Sequence, residues 1–149
     1  MATNQCVERQ ASMSRALNDL DYRLRNVAFE FLGRCSEAGI PVMIIDTLRT
    51  QQEQEANLAK GVSWTPNSLH LPQKPDGKAL AIDVCPYGVY QLHGPDKLAW
   101  DANEPAWQVL GKIGETLGLG WGGRWKQKDM GHFEYRSLAD RANVIGTLT

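Results

Sequence analysis

From Leu17 onward, Leu17, Leu20, Leu24, Val27, Ala28, Phe31 and Leu32 recur at three- and four-residue spacing, which predicts an amphipathic helix reaching about Ser36. Gly39 stands where a C-terminal cap is needed. Residues 40–46, "IPVMIID", are a short β-branched apolar run and predict a buried strand. Residues 50–61 predict a second helix, capped by Thr50 and ended by Gly61. The next stretch, "VSWTPNSLHLPQKPDG", holds three prolines and reads as loop.

"KALAIDV" follows as a strand whose alternation is informative. Leu80, Ile82 and Val84 share one face; Ala79, Ala81, Asp83 and Cys85 share the other. The second set is small and carries one acid, the pattern of a pocket floor. "YGVYQL" suggests another strand or hairpin arm. A helix is predicted after Asn103, its cap, with Pro105 in the first turn and Trp107, Leu110, Ile113 and Leu117 as its buried stripe. "HFEYR" reads as a short strand with His132 and Glu134 on one face, and Ser137 as the cap of a last short helix. Residues 1 to about 15 read as loosely structured. Helices and strands interleave without a regular βαβ repeat, so the expected fold is α+β, a small, mainly antiparallel sheet packed with helices. At 149 residues, with no repeat or linker, residues 1–149 are expected to form a single domain.

Charge narrows the function classes. Sixteen basic and 17 acidic side chains leave a net charge of −1, so no strong field draws the chain to nucleic acid or an anionic membrane. Arg124, Lys126 and Lys128 form a short basic cluster closed by Asp129, best read as a solvated stretch. No apolar run is long enough to span a bilayer, and the polar start lacks a signal core, so synthesis in the cytoplasm without a signal peptide is expected. Cys6, Cys35 and Cys85 are odd in number and lack C-x-x-C spacing, which argues against a disulfide framework or a cysteine-rich zinc site.

The candidate chemistry rests on few residues. The chain has three histidines, His70, His93 and His132. Imidazole and carboxylate are natural zinc ligands, and His70, Asp83 and His132 would leave a catalytic ion an open position. Taken singly, each is more often an ordinary structural residue. Two other signals are weak. "GLGWGG" matches G-x-G-x-x-G by letter but follows a helix. Cys85, in a strand and before Pro86, lacks a helix N-terminus to activate its thiol toward His132. Trp64, Trp121 and Trp125 read as core or pocket-wall residues.

Taken together, the motifs change that balance. Ser68-x-His70, Ala81-x-Asp83, and Trp121-Gly122-Gly123 leading to Asp129-x-x-His132-Phe133-Glu134 resemble the zinc L-alanyl-D-glutamate endopeptidases and D-alanyl-D-alanine carboxypeptidases of peptidoglycan, the small phage endolysins above all. "TLRTQQEQ", with Arg49 five places before Gln54, is similar to the family's arginine segment. The resemblance runs from about Leu17 to Tyr135. It implies one Zn²⁺ ion on His70, Asp83 and His132, with His93 as an alternative ligand. It further implies Asp129 as general base, Arg49 at the oxyanion or a substrate carboxylate, and Gln54 toward substrate; Ser68 is expected to orient the loop or bond substrate, and Trp64, in the loop before His70, to line a substrate groove. Thirteen positions separate His70 from Asp83, more than in the compact S-x-H-x-x-G-x-A-x-D pattern, so the intervening residues must bulge as a loop, at small entropic cost.

The implied substrate is the L-Ala–D-Glu bond of bacterial stem peptides. D-Ala-D-Ala hydrolysis and metal-dependent wall binding without cleavage are the alternatives. The implied protein is a monomer without nucleic-acid or membrane partners, with no separate wall-binding domain, reaching the periplasm through a holin-type release.

Overall fold

The apolar run that begins at Leu17 splits in two in the computed structural model, which describes residues 14–61, 67–88 and 100–137. Leu17–Asp19 is a 3-10 turn, and helix α1 (Tyr22–Glu37) starts later than the periodicity suggests. Tertiary pairing makes the break. Leu20 bridges to Ala79, with Asp21 N donating to Ala79 O at 2.8 Å and Ala79 N to Asp19 O at 2.9 Å. The buried Asp21 then caps α1, accepting from Arg23 N at 2.9 Å. Gly39, at φ 77°, turns the chain out of the segment as its position predicts.

Strands β1 (Val42–Asp46), β2 (Ala81–Pro86), β3 (Gly120–Trp121) and β4 (His132–Glu134) form one antiparallel sheet in the order β1-β2-β4-β3. With helices α2 (Gln51–Ala59) and α3 (Ala106–Thr116), the architecture is the expected α+β. Thr50 caps α2 through a complete capping box with Glu53. β1, expected to be buried, is an edge strand in which only Asp46 is buried, because among the described residues no strand pairs beyond it. β2 begins at Ala81 rather than at residue 78. The residues before it close a small hairpin, with Gln73 N donating to Lys78 O at 2.9 Å, and Leu80 N ties its base to Leu69 O at 2.8 Å. The extra length between His70 and Asp83 is thereby folded away. The expected pocket floor shrinks to one residue: Ala79 and Cys85 belong to the apolar core, and of that face only Asp83 lines the main cavity.

The stripe on α3 also differs from the prediction. Its buried positions are Trp107, Leu110, Gly111 and Gly114, with Ile113 and Leu117 only half-buried. Asn103 does not cap it; Pro105 occupies the cap position without a side-chain bond, and Asp101 secures the entry by accepting from Asn103 N at 2.9 Å and, through its carbonyl, from Trp107 Nε1 at 3.0 Å. The glycines let α3 lie against aromatic rings. A Cβ at Gly114 would sit 2.5 Å from the Phe133 ring, which is fully buried and held 4.6 Å from Phe31. The expected residues 87–92 strand and the helix after Ser137 fall largely outside the described residues.

Gly114→Ala therefore has two opposed effects. Helix preference favours alanine by about 1 kcal/mol, whereas overpacking a filled core costs about 1–3 kcal/mol. The expected result is net destabilisation, read as a lower urea midpoint at unchanged slope.

Candidate metal centre

Strand register assembles the site. β2 and β4 pair Asp83 with His132, so the two side chains emerge side by side on one face, while the neighbouring pair Ile82 and Phe133 enters the core. On the other flank, β1 pairs Ile44 with Val84 but Asp46, not Ile45, with Asp83. This bulge inserts one residue and turns Asp46 to the face of Asp83; unbroken pairing would set it opposite Ile82, on the core side. Asp46, Asp83 and His132 thus stand in a row across three strands.

His70 arrives from the loop and is almost wholly buried. Its Nδ1 lies 2.7 Å from Thr47 O, and a carbonyl only accepts, so Nδ1 carries the proton. Its Nε2 lies 3.1 Å from Asp83 Oδ1, yet is buried without an aligned hydrogen-bond partner. His132 is placed in the opposite sense: Nε2 meets Glu134 Oε1 at 2.9 Å and Nδ1 meets Asp83 Oδ1 at 3.1 Å. Ligand atoms of His70, Asp83 and His132 all lie within 4.8 Å of one another. They share a cavity of about 730 Å³ with Asp46, Arg49, Ser68, Trp125 and Asp129. Trp125 lies 4.8 Å from the His132 ring, centroid to centroid.

Burial opposes ionisation of Asp83, but the interactions with the His70 and His132 imidazoles outweigh it and hold the carboxyl far below the usual range. For His132 burial disfavours the cation, but hydrogen bonds to Asp83 and Glu134 prevail and push it up to about 10. Asp129 moves the other way: burial first, then the nearby Asp83 charge, raises its carboxyl above the ordinary value. Its turn is tight, with Asp129 O accepting from His132 N at 3.2 Å, and Gly131 packed where a Cβ would meet Val84 O at 2.3 Å.

The other predicted residues divide. Ser68 lines the cavity, and its Oγ accepts from His70 N at 3.2 Å, orienting the loop. Arg49 is buried, donates from Nε to Asp46 Oδ2 at 2.8 Å, and comes within 3.5 Å of Asp83 Oδ2. Gln54, expected at the substrate, is instead completely buried off the cavity wall and accepts from Arg49 Nη1 at 2.6 Å; the first turns of α2 point it at the arginine. Trp121 is a core residue, and Cys85 is fully buried with its thiol directed at Pro86 O, 3.3 Å away. Trp64 and His93 lie outside the described residues. Three contributors were missed. Asp46 reaches the site only through the bulge, and Thr47 acts through its backbone carbonyl. Glu134 had been placed on the face of His132 without a role.

Residues 75–135 match the family described as D-alanyl-D-alanine carboxypeptidase, a span that holds Asp83, Asp129 and His132. The L-alanyl-D-glutamate peptidase of Listeria phage A118 is 29% identical over 114 residues, covering 73% of this chain. The chain spans only 35% of that curated relative's length. A crystal structure of an L-Ala D-Glu endopeptidase from Serratia marcescens shares the fold, with a TM-score of 0.59 and 23% identity over 80% of this chain and 83% of that one.

The site fits a divalent ion on its own chemistry. Two nitrogens and one carboxylate oxygen converge, and the orphaned His70 Nε2 is a buried lone pair facing an acceptor, an arrangement that a cation between them would relieve. Thr47 O and Glu134 anchor the far ring nitrogens, as ligating imidazoles require. Because the proton affinity of His132 is raised, a metal on its Nδ1 competes with a proton. Zinc binding at pH 7 is therefore expected to release about one proton, with affinity rising as pH climbs toward the His132 value of about 10; calorimetry in buffers of different ionisation enthalpy measures both. Glu134→Ala is expected to weaken zinc about 10- to 100-fold in a chelator-competition titration.

Proposed function

We propose that the chain is a zinc-dependent peptidoglycan peptidase that hydrolyses the L-Ala–D-Glu bond of stem peptides. The observation that carries this is the convergence of His70 Nε2, Asp83 and His132 Nδ1 in a cavity that also holds the carboxylate of Asp129. The names of the phage and Serratia relatives support the choice of bond. When bound, zinc supplies a Lewis acid that polarises the scissile carbonyl and acidifies a water.

The remaining work falls to the chain. Asp129, its proton affinity raised by burial, takes a proton from the attacking water and returns it to the leaving amine. Arg49 offers N–H donors toward negative charge on the substrate. Ser68 keeps the His70 loop in place, and Trp125 walls the site beside His132. Among the described residues no helix is long and apolar enough to cross a membrane. A phage-endolysin role, in which the enzyme reaches the wall after holin-type release, follows from the same reading.

Asp129→Asn tests the reading against wall binding without cleavage. The variant should hold zinc as the parent does and lose about 10²–10⁴-fold in hydrolysis of purified peptidoglycan. Digestion at the parental rate would remove Asp129 as the base. Mass spectrometry of the digested muropeptides separates L-Ala–D-Glu cleavage from loss of a terminal D-Ala.

A further inference from the structure

Arg49 is the one permanent cation among the described residues lining the cavity, and its donors can be counted. A guanidinium has five N–H groups in a rigid fork. Nε and one Nη2 hydrogen go to Asp46 Oδ2, the former at 2.8 Å, and one Nη1 hydrogen goes to Gln54 Oε1 at 2.6 Å. One N–H on each of the two terminal nitrogens remains. The Nη2 side is 3.5 Å from Asp83 Oδ2, too far for a strong bond. Both firm contacts to Asp46 fall on one oxygen, and Asp46 Oδ1 stays buried without a partner, so the pair aims the arginine at the expense of satisfying the acid. Gln54 completes the grip from a helix whose first turn is pinned by the Thr50 capping box.

We infer that Asp46 and Gln54 are positioning residues that pre-aim Arg49 as a two-pronged reader of a free carboxylate on the substrate. The inference rests on the peptidase reading and deepens it. D-glutamate in a stem continues the chain through its side-chain carboxyl, which leaves its α-carboxyl free or amidated beside the proposed scissile bond. A charged fork bonds the carboxylate with both prongs, whereas a carboxamide offers one acceptor and two hydrogens that oppose the donors.

The test uses the zinc-loaded chain and two synthetic stem peptides that differ only in carboxylate or carboxamide at that α-position. Binding is measured by competition, and KM and kcat separately. The parent should bind the carboxylate peptide about 10- to 100-fold tighter. Asp46→Asn and Gln54→Met should collapse the difference through KM while zinc affinity stays parental, and Gln54→Glu, which keeps an acceptor, should preserve it. Equal binding of the two peptides by the parent overturns the inference with no variant needed, as does a preference that survives both Asp46→Asn and Gln54→Met. If the parent discriminates but cuts neither peptide, the fork stands and the peptidase reading falls; if it cuts both equally well, the reverse holds.

Discussion

Two imidazole nitrogens, His70 Nε2 and His132 Nδ1, each lie 3.1 Å from the same atom, Asp83 Oδ1. Like lone pairs repel, so this geometry persists only with positive charge among the three. A proton on His132 provides it, and a divalent ion held by the three would provide it more fully. Much of the surrounding structure serves that convergence. Thr47 O and Glu134 hold the outer ring nitrogens, the hairpin at residues 73–78 absorbs the extra loop, and Trp125 covers one ring.

The sheet provides the rigidity. β2 lies between β1 and β4, so Asp83 is fixed from both sides, and its neighbours Ile82 and Val84 are locked in the core. Phe133, packed between Phe31 and Trp121, pins the strand that carries His132. The β1 bulge spends one residue of regular pairing to bring Asp46 onto the functional face, and with it the guanidinium of Arg49. A structural irregularity at the sheet edge and the electrostatics of the cavity are therefore one feature.

Much of this was legible along the chain. Alternation set Asp83 apart on β2 and paired His132 with Glu134, because strand periodicity is local and the core face must be apolar. The Thr50 cap of α2 and the Gly39 stop were readable for the same reason. Boundaries set by partners were not: α1 loses its first turn to the Leu20–Ala79 bridge, and α3 is capped at Pro105 because Asp101, rather than Asn103, holds its entry.

Residue chemistry and short-range periodicity are written in one dimension, and they carry the α+β class and single out His70, Asp83 and His132 as candidate ligands. Folding in three dimensions sets which nitrogen of each histidine faces Asp83, that Gln54 bonds Arg49 from a buried position, and that Asp46 lines the site. Those outcomes depend on backbone carbonyls, a register shift and packing across strands far apart in the chain, and none of these leaves a mark on the identity of a single residue.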